Sequence, residues 1–188
     1  MERWKPDAQG RLMRAAMELY AEHGYEQTTV VDIAQRAGVT ERTFFRYFTD
    51  KREVLFEGAT GLREVVVDSI VSAQPDLPPM EVVGTAMAAG AAVLEENRDF
   101  ARKRAAVIAA NPGLQERELL KLASLAAESA AALRDRGVPE PAATLVAETG
   151  VTLFRVAFEK WIADTSSETF SQGIRSALDQ LKTLTAEG

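Results

Sequence analysis

Apolar residues recur every three or four positions along most of the chain, and the runs are separated by Gly and Pro. Residues with this spacing fall on one face of an α-helix, whereas a half-buried strand would show an apolar residue at every second position. The pattern predicts an all-α fold. It also predicts two domains, a three-helix domain over residues 1–50 and a six-helix domain over residues 51–188.

The first helix is predicted to begin at Asp7 or the next residue. His23, the single histidine, falls at its end beside Gly24. A ring nitrogen or a cation suits the last carbonyl groups of a helix, so we interpret His23 as a cap and not as a catalytic residue. The apolar face of this helix is formed by Leu12, Ala16, Leu19 and Tyr20.

Two short helices are predicted between residues 28 and 51. Thr29 can accept a hydrogen bond from a free backbone amide at a helix start, and Asp32 lies in the first turn, where an acidic residue is favoured. Gly38 can adopt the left-handed conformation that ends this helix, and Thr40 can cap the next one. Two short helices joined by a tight glycine turn form a helix-turn-helix unit.

The second of these helices has one apolar face and one basic face. At about 100° per residue, Phe44 and Phe48 share a stripe that would hold the helix against its own domain. Arg42, Thr43 and Arg46 lie roughly opposite and would face outward. Because Arg can bind guanine through two hydrogen bonds and Thr can contact a base edge or a thymine methyl group, the helix is predicted to bind DNA. The alternative is a small helical subdomain with a solvated charged face.

The predicted DNA-binding residues extend beyond this outward face. Phe45 and Tyr47 flank the apolar stripe, and Lys51 follows the helix, where a cation would meet the phosphates beside a groove. Arg3 and Lys5 are interpreted as part of a frayed arm, with contact to DNA as the alternative. The complete predicted set is Thr29, Thr40, Arg42, Thr43, Phe45, Arg46, Tyr47 and Lys51.

At these residues the chain resembles the TetR family of bacterial transcriptional repressors, over roughly residues 8 to 56. The resemblance implies an all-α homodimer, an amino-terminal domain that binds operator DNA and a carboxy-terminal domain that binds a small inducer. Phe45 departs from the family, which usually has a Tyr that touches a phosphate there. The motif residues are Ala15, Ala16, Leu19, Gly24, Tyr25, Thr28, Thr29, Asp32, Ile33, Ala34, Ala37, Gly38, Val39, Phe44 to Phe48 and Lys51.

The fourth helix is predicted from Lys51 to about Ala73, and would then belong to both domains. Residues 74–79 break the pattern with three prolines, and a fifth helix follows to about Glu96. Gly84 and Gly90 inside that helix permit close approach of another group. Asn111-Pro112 then separates a sixth helix from a seventh, which is predicted over residues 113–136, because a residue before proline avoids helical geometry.

Residues 97–121 carry six cations and three anions in a part of the chain that is otherwise acidic. Cations on both sides of a helix break are predicted to bind a carboxylate or a phosphate, and the alternatives are pairing with nearby Glu residues or exposure to water. The stretch also loosely resembles TetR ligand domains that respond to acyl-CoA. A fatty acyl-CoA or another amphipathic anion is therefore the expected effector. The predicted ligand-binding residues are Phe100, Arg102, Arg104, Arg117, Lys121 and Phe154.

The last two helices, predicted over residues 142–163 and 168–184, have regular apolar stripes. Such a stripe needs an apolar partner, which the domain's own core could supply. In TetR proteins the last two helices form a four-helix bundle with the twin subunit, so the resemblance implies a homodimer and a palindromic operator. The predicted interface residues are Val151, Phe158, Ile162, Phe170, Ile174, Leu178 and Leu181.

Composition narrows the function classes. The net charge is -6, yet residues 1–55 hold nine Lys/Arg and nine Asp/Glu, so the excess of acid lies in the second domain. Without Cys, disulfides and thiolate metal sites are impossible. No apolar run approaches the ~20 residues that cross a bilayer. We therefore expect a cytoplasmic protein with no membrane partner.

No metal, cofactor or enzymatic activity is expected, because no catalytic cluster or phosphate-binding loop is found. A helical ligand-binding or adaptor protein without specific DNA recognition is the alternative function.

Overall fold

The computed structural model describes residues 7–163 and 168–186, and these residues form helices and connecting turns without a strand. The predicted all-α fold class is therefore confirmed. The predicted arm at Arg3 and Lys5 lies outside the described residues. The helices are α1 Ala8–His23, α2 Val30–Ala37, α3 Glu41–Tyr47, α4 Gly58–Ser72, α5 Pro79–Leu94, α6 Arg98–Ala109, α7 Pro112–Asp135, α8 Ala142–Ala163 and α9 Phe170–Ala186.

The contacts divide the chain into two compact units. The first comprises Met1–Glu57 and Arg102–Glu118, and the second comprises Gly58–Ala101 and Leu119–Gly188. The end of α6 and the start of α7 thus group with the first three helices. The predicted division into a DNA-binding part and a ligand-binding part concerns function and stays a prediction.

In the first unit, α2 and α3 pack on α1 around a small apolar core. Leu12, Ile33 and Phe44, one from each helix, are completely buried, and Phe48 is nearly so. Burying a large apolar side chain stabilises a fold by roughly 1.5–3 kcal/mol. This core therefore fixes the orientation of the short α3, which would not be a stable helix by itself.

The predicted start of the fourth helix at Lys51 is wrong. A 3-10 turn at Glu53–Leu55 follows α3, and α4 begins only at Gly58. Val54, Leu55 and Phe56 are all buried. Three consecutive buried side chains do not fit the one-sided apolar face of a surface α-helix, where three residues in a row spread over about 200°.

In the second unit, α5 packs against α4, α8 and α9. Its Val83, Met87 and Ala91 are completely buried. A Cβ atom on Gly84 would lie 2.5 Å from Leu178 Cδ2, and one on Gly90 would lie 2.7 Å from Val66 Cγ2, so both glycines allow close approach of a neighbouring helix as predicted. In the described ranges no helix has both the length and the apolar character needed to cross a bilayer.

Candidate nucleic-acid interface

The start of α2 is fixed by a reciprocal pair of hydrogen bonds. The Thr29 hydroxyl accepts from the Asp32 backbone N–H at 3.2 Å, and the Asp32 carboxylate accepts from the Thr29 backbone N–H at 2.9 Å. The carboxylate also accepts from the Thr29 hydroxyl at 2.6 Å. These bonds form a capping box, which satisfies donors that a helix start leaves free.

A glycine turn sets the angle between α2 and α3. Gly38 has a φ of 69° and a ψ of 38°, a left-handed conformation that favours glycine. The Val39 backbone N–H reaches back to the Ala34 carbonyl oxygen at 2.9 Å. Thr40 then caps α3, because its hydroxyl accepts from the Thr43 backbone N–H at 3.2 Å. The sequence-predicted boundaries of both helices are confirmed to within a residue or two.

The two faces of α3 separate as the sequence predicts. Phe44 and Phe48 are buried with their ring centroids 5.4 Å apart, and they hold the helix to the first unit. On the other side Arg42 and Arg46 are exposed and Thr43 is half-buried. These three side chains and Phe45 line an open depression on the surface.

The arginines of α3 are available to a partner. Arg42 makes no hydrogen bond or ion pair among the residues that the structure describes. Arg46 donates one hydrogen bond, to the Tyr47 hydroxyl at 3.1 Å, and its guanidinium carbon lies 4.9 Å from the Tyr47 ring centroid. Since a guanidinium has five donors, Arg46 can still bind a base or a phosphate.

Two flanking side chains are exposed beside these arginines. Phe45 is 55% exposed and Tyr47 is 37% exposed, which is unusual for large aromatic residues. Phe45 has no hydroxyl group with which to bind a phosphate, so it offers only an apolar face to a sugar-phosphate backbone. Thr29 and Thr40 are also exposed, although their hydroxyls already serve as helix caps.

Several other cations of the first unit already have partners. Arg36 lies 2.8 Å from Glu22 and 3.4 Å from Glu18, measured between nitrogen and oxygen atoms. Arg52 lies 2.6 Å from Asp50. Because these cations are neutralised internally, the outward charge of the helix-turn-helix comes chiefly from α3.

Lys51 requires a correction. Its ammonium group donates to the backbone oxygens of Tyr25, Glu26 and Thr28, at 2.8, 3.2 and 3.0 Å. An ammonium has three donors, so all of them are used inside the chain and none is left for the phosphate that the sequence analysis assigned to it. The reason is that the turn after α1 directs three carbonyl groups to one point, which residue spacing does not reveal.

Two carboxyl groups near the interface have shifted pKa values. Hydrogen bonds from the Thr29 hydroxyl and backbone N–H lower the pKa of Asp32. Burial acts to raise the pKa of Asp50, but hydrogen bonds from the Arg52 side chain and from the Glu53 and Arg52 backbone amides outweigh it, so the pKa is lowered. Both groups are therefore held as anions that cap neighbouring backbone.

Asp50 is a structural residue that the sequence analysis missed. Its carboxylate accepts from the backbone amides of Arg52 and Glu53 at 2.8 and 3.1 Å, and it thereby starts the 3-10 turn. The signal was present in the sequence, because Asp50 and Glu53 have the spacing of a capping box. Tyr20 was also missed as a polar contact, since its hydroxyl donates to the Lys51 carbonyl oxygen at 2.7 Å.

The predicted ligand-binding cations need correction in two places. Arg104 lies 2.9 Å from Glu118 and also donates to the Leu55 carbonyl oxygen at 2.5 Å. Arg117 lies 2.5 Å from Glu53. The alternative of pairing with Glu is what the structure contains at both residues, so neither cation is an open anion site. Phe100, Arg102 and Lys121 stay predictions.

The predicted dimer interface also needs correction. Phe170 and Ile174 are completely buried in the second unit, and Val151 and Leu178 are at most 8% exposed. The Phe170 ring stacks on Trp161 with centroids 5.3 Å apart, so the apolar stripe of α9 is used within the chain's own core. Phe154, predicted as a ligand contact, lies in the same aromatic cluster, 4.8 Å from Phe170. Phe158, Ile162 and Leu181 are half-buried and stay predicted interface residues.

A capped helix-turn-helix with an outward basic face, joined to a larger helical unit, defines a class of DNA-binding transcriptional regulators. Residues 12–57 match the model of the family described as bacterial regulatory proteins, tetR family, and residues 77–186 match the model described as the MftR C-terminal domain. The chain belongs to the TetR family.

Individual relatives agree with this assignment. The chain is 30% identical over 193 residues to the HTH-type transcriptional regulator TcmR of Streptomyces glaucescens, covering 92% of this chain and 81% of that protein. Its fold is similar to that of a TetR-family regulator from Syntrophomonas wolfei, with a TM-score of 0.68, 18% identity and coverage of 96% and 95%. It is also similar to FadR of Bacillus subtilis in complex with stearoyl-CoA, with a TM-score of 0.63, 18% identity and coverage of 92% and 96%.

Proposed function

We propose that this chain is a cytoplasmic repressor that binds palindromic operator DNA as a homodimer and is released by a small-molecule ligand. The observation that carries the proposal is the division of α3, which buries Phe44 and Phe48 and leaves Arg42 and Arg46 exposed. An exposed helix of this kind fits the major groove of B-form DNA.

Each exposed residue of the interface has a proposed role. Arg42, Thr43 and Arg46 contact base edges, since Arg and Thr supply the donors and the methyl group that discriminate bases. Phe45 and Tyr47 pack on the sugar-phosphate backbone. Thr29 and Thr40 lie at helix starts, where backbone amides and the helix dipole favour a phosphate.

The proposed homodimer rests on the apolar side chains that the chain leaves exposed. Leu145 is 63% exposed and Val156 is 49% exposed. They lie about three turns apart on α8 and therefore share one face of that helix. Half-buried Phe158 and Ile162 lie about 200° and 240° around the helix from Val156, so they belong to the opposite side of α8. A second copy that pairs with the face of Leu145 and Val156 would cover it and bring two α3 helices to one operator.

The proposed ligand is a fatty acyl-CoA or another amphipathic anion. The FadR structure that this chain resembles contains stearoyl-CoA. Support from the chain itself is the aliphatic character of the second unit, whose core consists mainly of Ala, Val, Leu, Ile and Met. Such side chains would pack favourably against a fatty acyl group, and we propose that this group binds between α4 and α8.

The contacts that α6 and α7 make with the turn after α3 would couple ligand binding to release from DNA. Arg104 and Arg117 hold Leu55 and Glu53, which follow α3 closely in the chain. Any ligand that binds better to a conformation with a displaced α6 would therefore favour a displaced 3-10 turn and a misaligned α3. The two equilibria are linked reciprocally, so DNA would equally weaken ligand binding.

The direct test is to incubate purified protein with a randomised duplex library and sequence the fragments it retains. We expect an enriched palindrome whose half-sites are centred about one helical turn, or about 34–36 Å, apart. Enrichment of no sequence would support the adaptor alternative.

The oligomeric state is tested with Val156→Glu, which places a charge on the proposed interface. Sedimentation analysis should show a dimer for the unmodified chain and a monomer for the variant. Val71→Glu, at an exposed apolar site on α4, is the control and should leave the dimer intact. A monomeric unmodified chain, or a dimeric Val156→Glu variant, would contradict the proposed interface.

A further inference from the structure

The ammonium group of Lys51 lies at the point where the start and the end of the helix-turn-helix meet. It bonds to the carbonyl oxygen of Thr28, the last residue before the N-cap of α2, at 3.0 Å. Lys51 itself follows α3 by only a few residues. One side chain therefore joins the two ends of a segment of more than twenty residues.

The site is built from more than one contact. Two further carbonyl groups of the turn after α1, those of Tyr25 and Glu26, accept from the same nitrogen at 2.8 and 3.2 Å. The nitrogen also lies 4.3 Å from the centroid of the buried Tyr25 ring, a cation–π contact. From the opposite side, the buried Tyr20 donates its hydroxyl to the Lys51 carbonyl oxygen at 2.7 Å.

These contacts add three hydrogen bonds to carbonyl groups of one turn. The Tyr25 carbonyl oxygen also accepts from the Thr28 backbone N–H at 3.3 Å, so the ammonium joins a bond already made inside the turn to the end of the helix-turn-helix. Loss of hydrogen bonds to carbonyl groups beside a buried ring costs free energy. Their loss would free the turn and, with it, the Thr29 cap that fixes the start of α2.

We propose that Lys51 is a positioning residue of the helix-turn-helix. It holds the turn and the start of α2 in the geometry that presents α3 to DNA, and it is not a ligand of a phosphate. The inference rests on the proposed DNA-binding function for its effect on affinity, but its structural part concerns the free protein.

The test compares Lys51→Met with Arg52→Met. Methionine keeps much of the length of the Lys stem and removes its donors. Arg52→Met removes the same charge one residue later, where the guanidinium is exposed and bonds to Asp50. Hydrogen exchange of the free proteins should show faster exchange at residues 25–32 in Lys51→Met alone, with exchange in α8 unchanged in both. Unchanged exchange at residues 25–32 would overturn the proposal.

Binding to a duplex enriched by the unmodified protein supplies the second measurement. We expect Lys51→Met to bind about tenfold more weakly or worse at every salt concentration, with the slope of log affinity against log salt unchanged. A phosphate ligand would instead lower that slope by about 0.9. A lowered slope with normal exchange would overturn the proposal. If the unmodified protein enriches no duplex, the proposed function fails, and hydrogen exchange alone decides the role of Lys51.

Tyr20→Phe provides a milder variant in case Lys51→Met does not fold. It removes one hydroxyl, keeps the ring and alters no charge. We expect faster exchange at residues 49–52, weaker DNA binding and an unchanged salt slope. Exchange and affinity equal to those of the unmodified protein would count against the proposed role.

Discussion

The basic residues of α3 and those of α6 and α7 look alike in the sequence and differ in the structure. Both groups contain arginines, and both were predicted to bind another molecule. Arg42 has no internal partner among the described residues, whereas Arg104 and Arg117 are bonded to Glu118 and Glu53. The difference lies in whether a carboxylate is within reach, not in the arginines themselves.

An arginine without an internal carboxylate partner can bind another molecule, whereas an arginine that has such a partner stabilises the fold. The exposed arginines of α3 contribute little to stability, because solvent already satisfies them. The half-buried pair of Arg104 and Glu118 contributes more, because removing one partner leaves a polar group without its bond. Variants of the α3 arginines should therefore weaken binding and leave stability nearly unchanged. A variant of Arg104 should lower stability.

The largest effect is expected for the double variant Arg42→Ala with Arg46→Ala. Each lost arginine–base contact weakens binding by about 1–3 kcal/mol, so the pair should reduce affinity for the selected duplex by about 30-fold to about 20,000-fold. The free energy of unfolding should change by no more than about 0.5 kcal/mol, since both side chains are exposed. Quantitative band-shift titration and chemical denaturation measure the two quantities. Arg175→Ala on α9 is the matched control and should affect neither.

A smaller effect, this time on stability, is expected for Arg104→Ala. It loses a bond to the Leu55 carbonyl, an ion pair with Glu118 and a contact with the Phe56 ring. We expect the free energy of unfolding to fall by about 1–3 kcal/mol. Lys103→Ala, an exposed neighbour, should change it by less than about 0.5 kcal/mol. Equal stabilities in urea titrations of the two variants would remove the distinction between the two arginine groups.

The smallest effect concerns the pH dependence of the helix-turn-helix. Thr29 lowers the pKa of Asp32, so the carboxylate stabilises the fold above the pKa it has in the unfolded chain, about 3.9. This contribution should be lost as pH falls through the lower folded-state pKa. The difference in unfolding free energy between the unmodified chain and Asp32→Asn should therefore shrink in this acidic range. A difference that stays constant from neutral to acidic pH would show that the carboxylate charge is not involved.

The parts that the sequence predicted correctly are those that local chemistry determines. The caps Thr29 and Thr40 and the turn at Gly38 act within a few residues, and so does the division of α3 between Phe44 and Arg42. Each follows from helical spacing and from the preferred positions of single residue types. For this reason the helix-turn-helix and its exposed face could be predicted before any coordinates were available.

Apart from the start of α4, where the Asp50 signal was local, the parts that were wrong depend on residues far apart in the chain. Arg117 bonds to Glu53, which lies 64 positions earlier in the sequence, and no local pattern indicates that pairing. Likewise, the periodicity of α9 shows that one face is apolar, but it does not distinguish the chain's own core from a second subunit. Phe170 turned out to face the core. Lys51 shows the same limit, since its partners lie in a turn on the other side of the helix-turn-helix.

The salt dependence of DNA binding tests most directly whether the outward face of α3 is a DNA-binding surface. Affinity for the selected duplex would be measured at several salt concentrations for the unmodified chain and for Arg42→Ala with Arg46→Ala. We predict that log affinity falls steeply with log salt for the unmodified chain, by about 0.9 for each phosphate neutralised. The variant should bind more weakly at every salt concentration with little change in slope, because its two arginines are proposed to contact base edges. A flat response of the unmodified chain, or identical slopes together with identical affinities, would contradict the assignment.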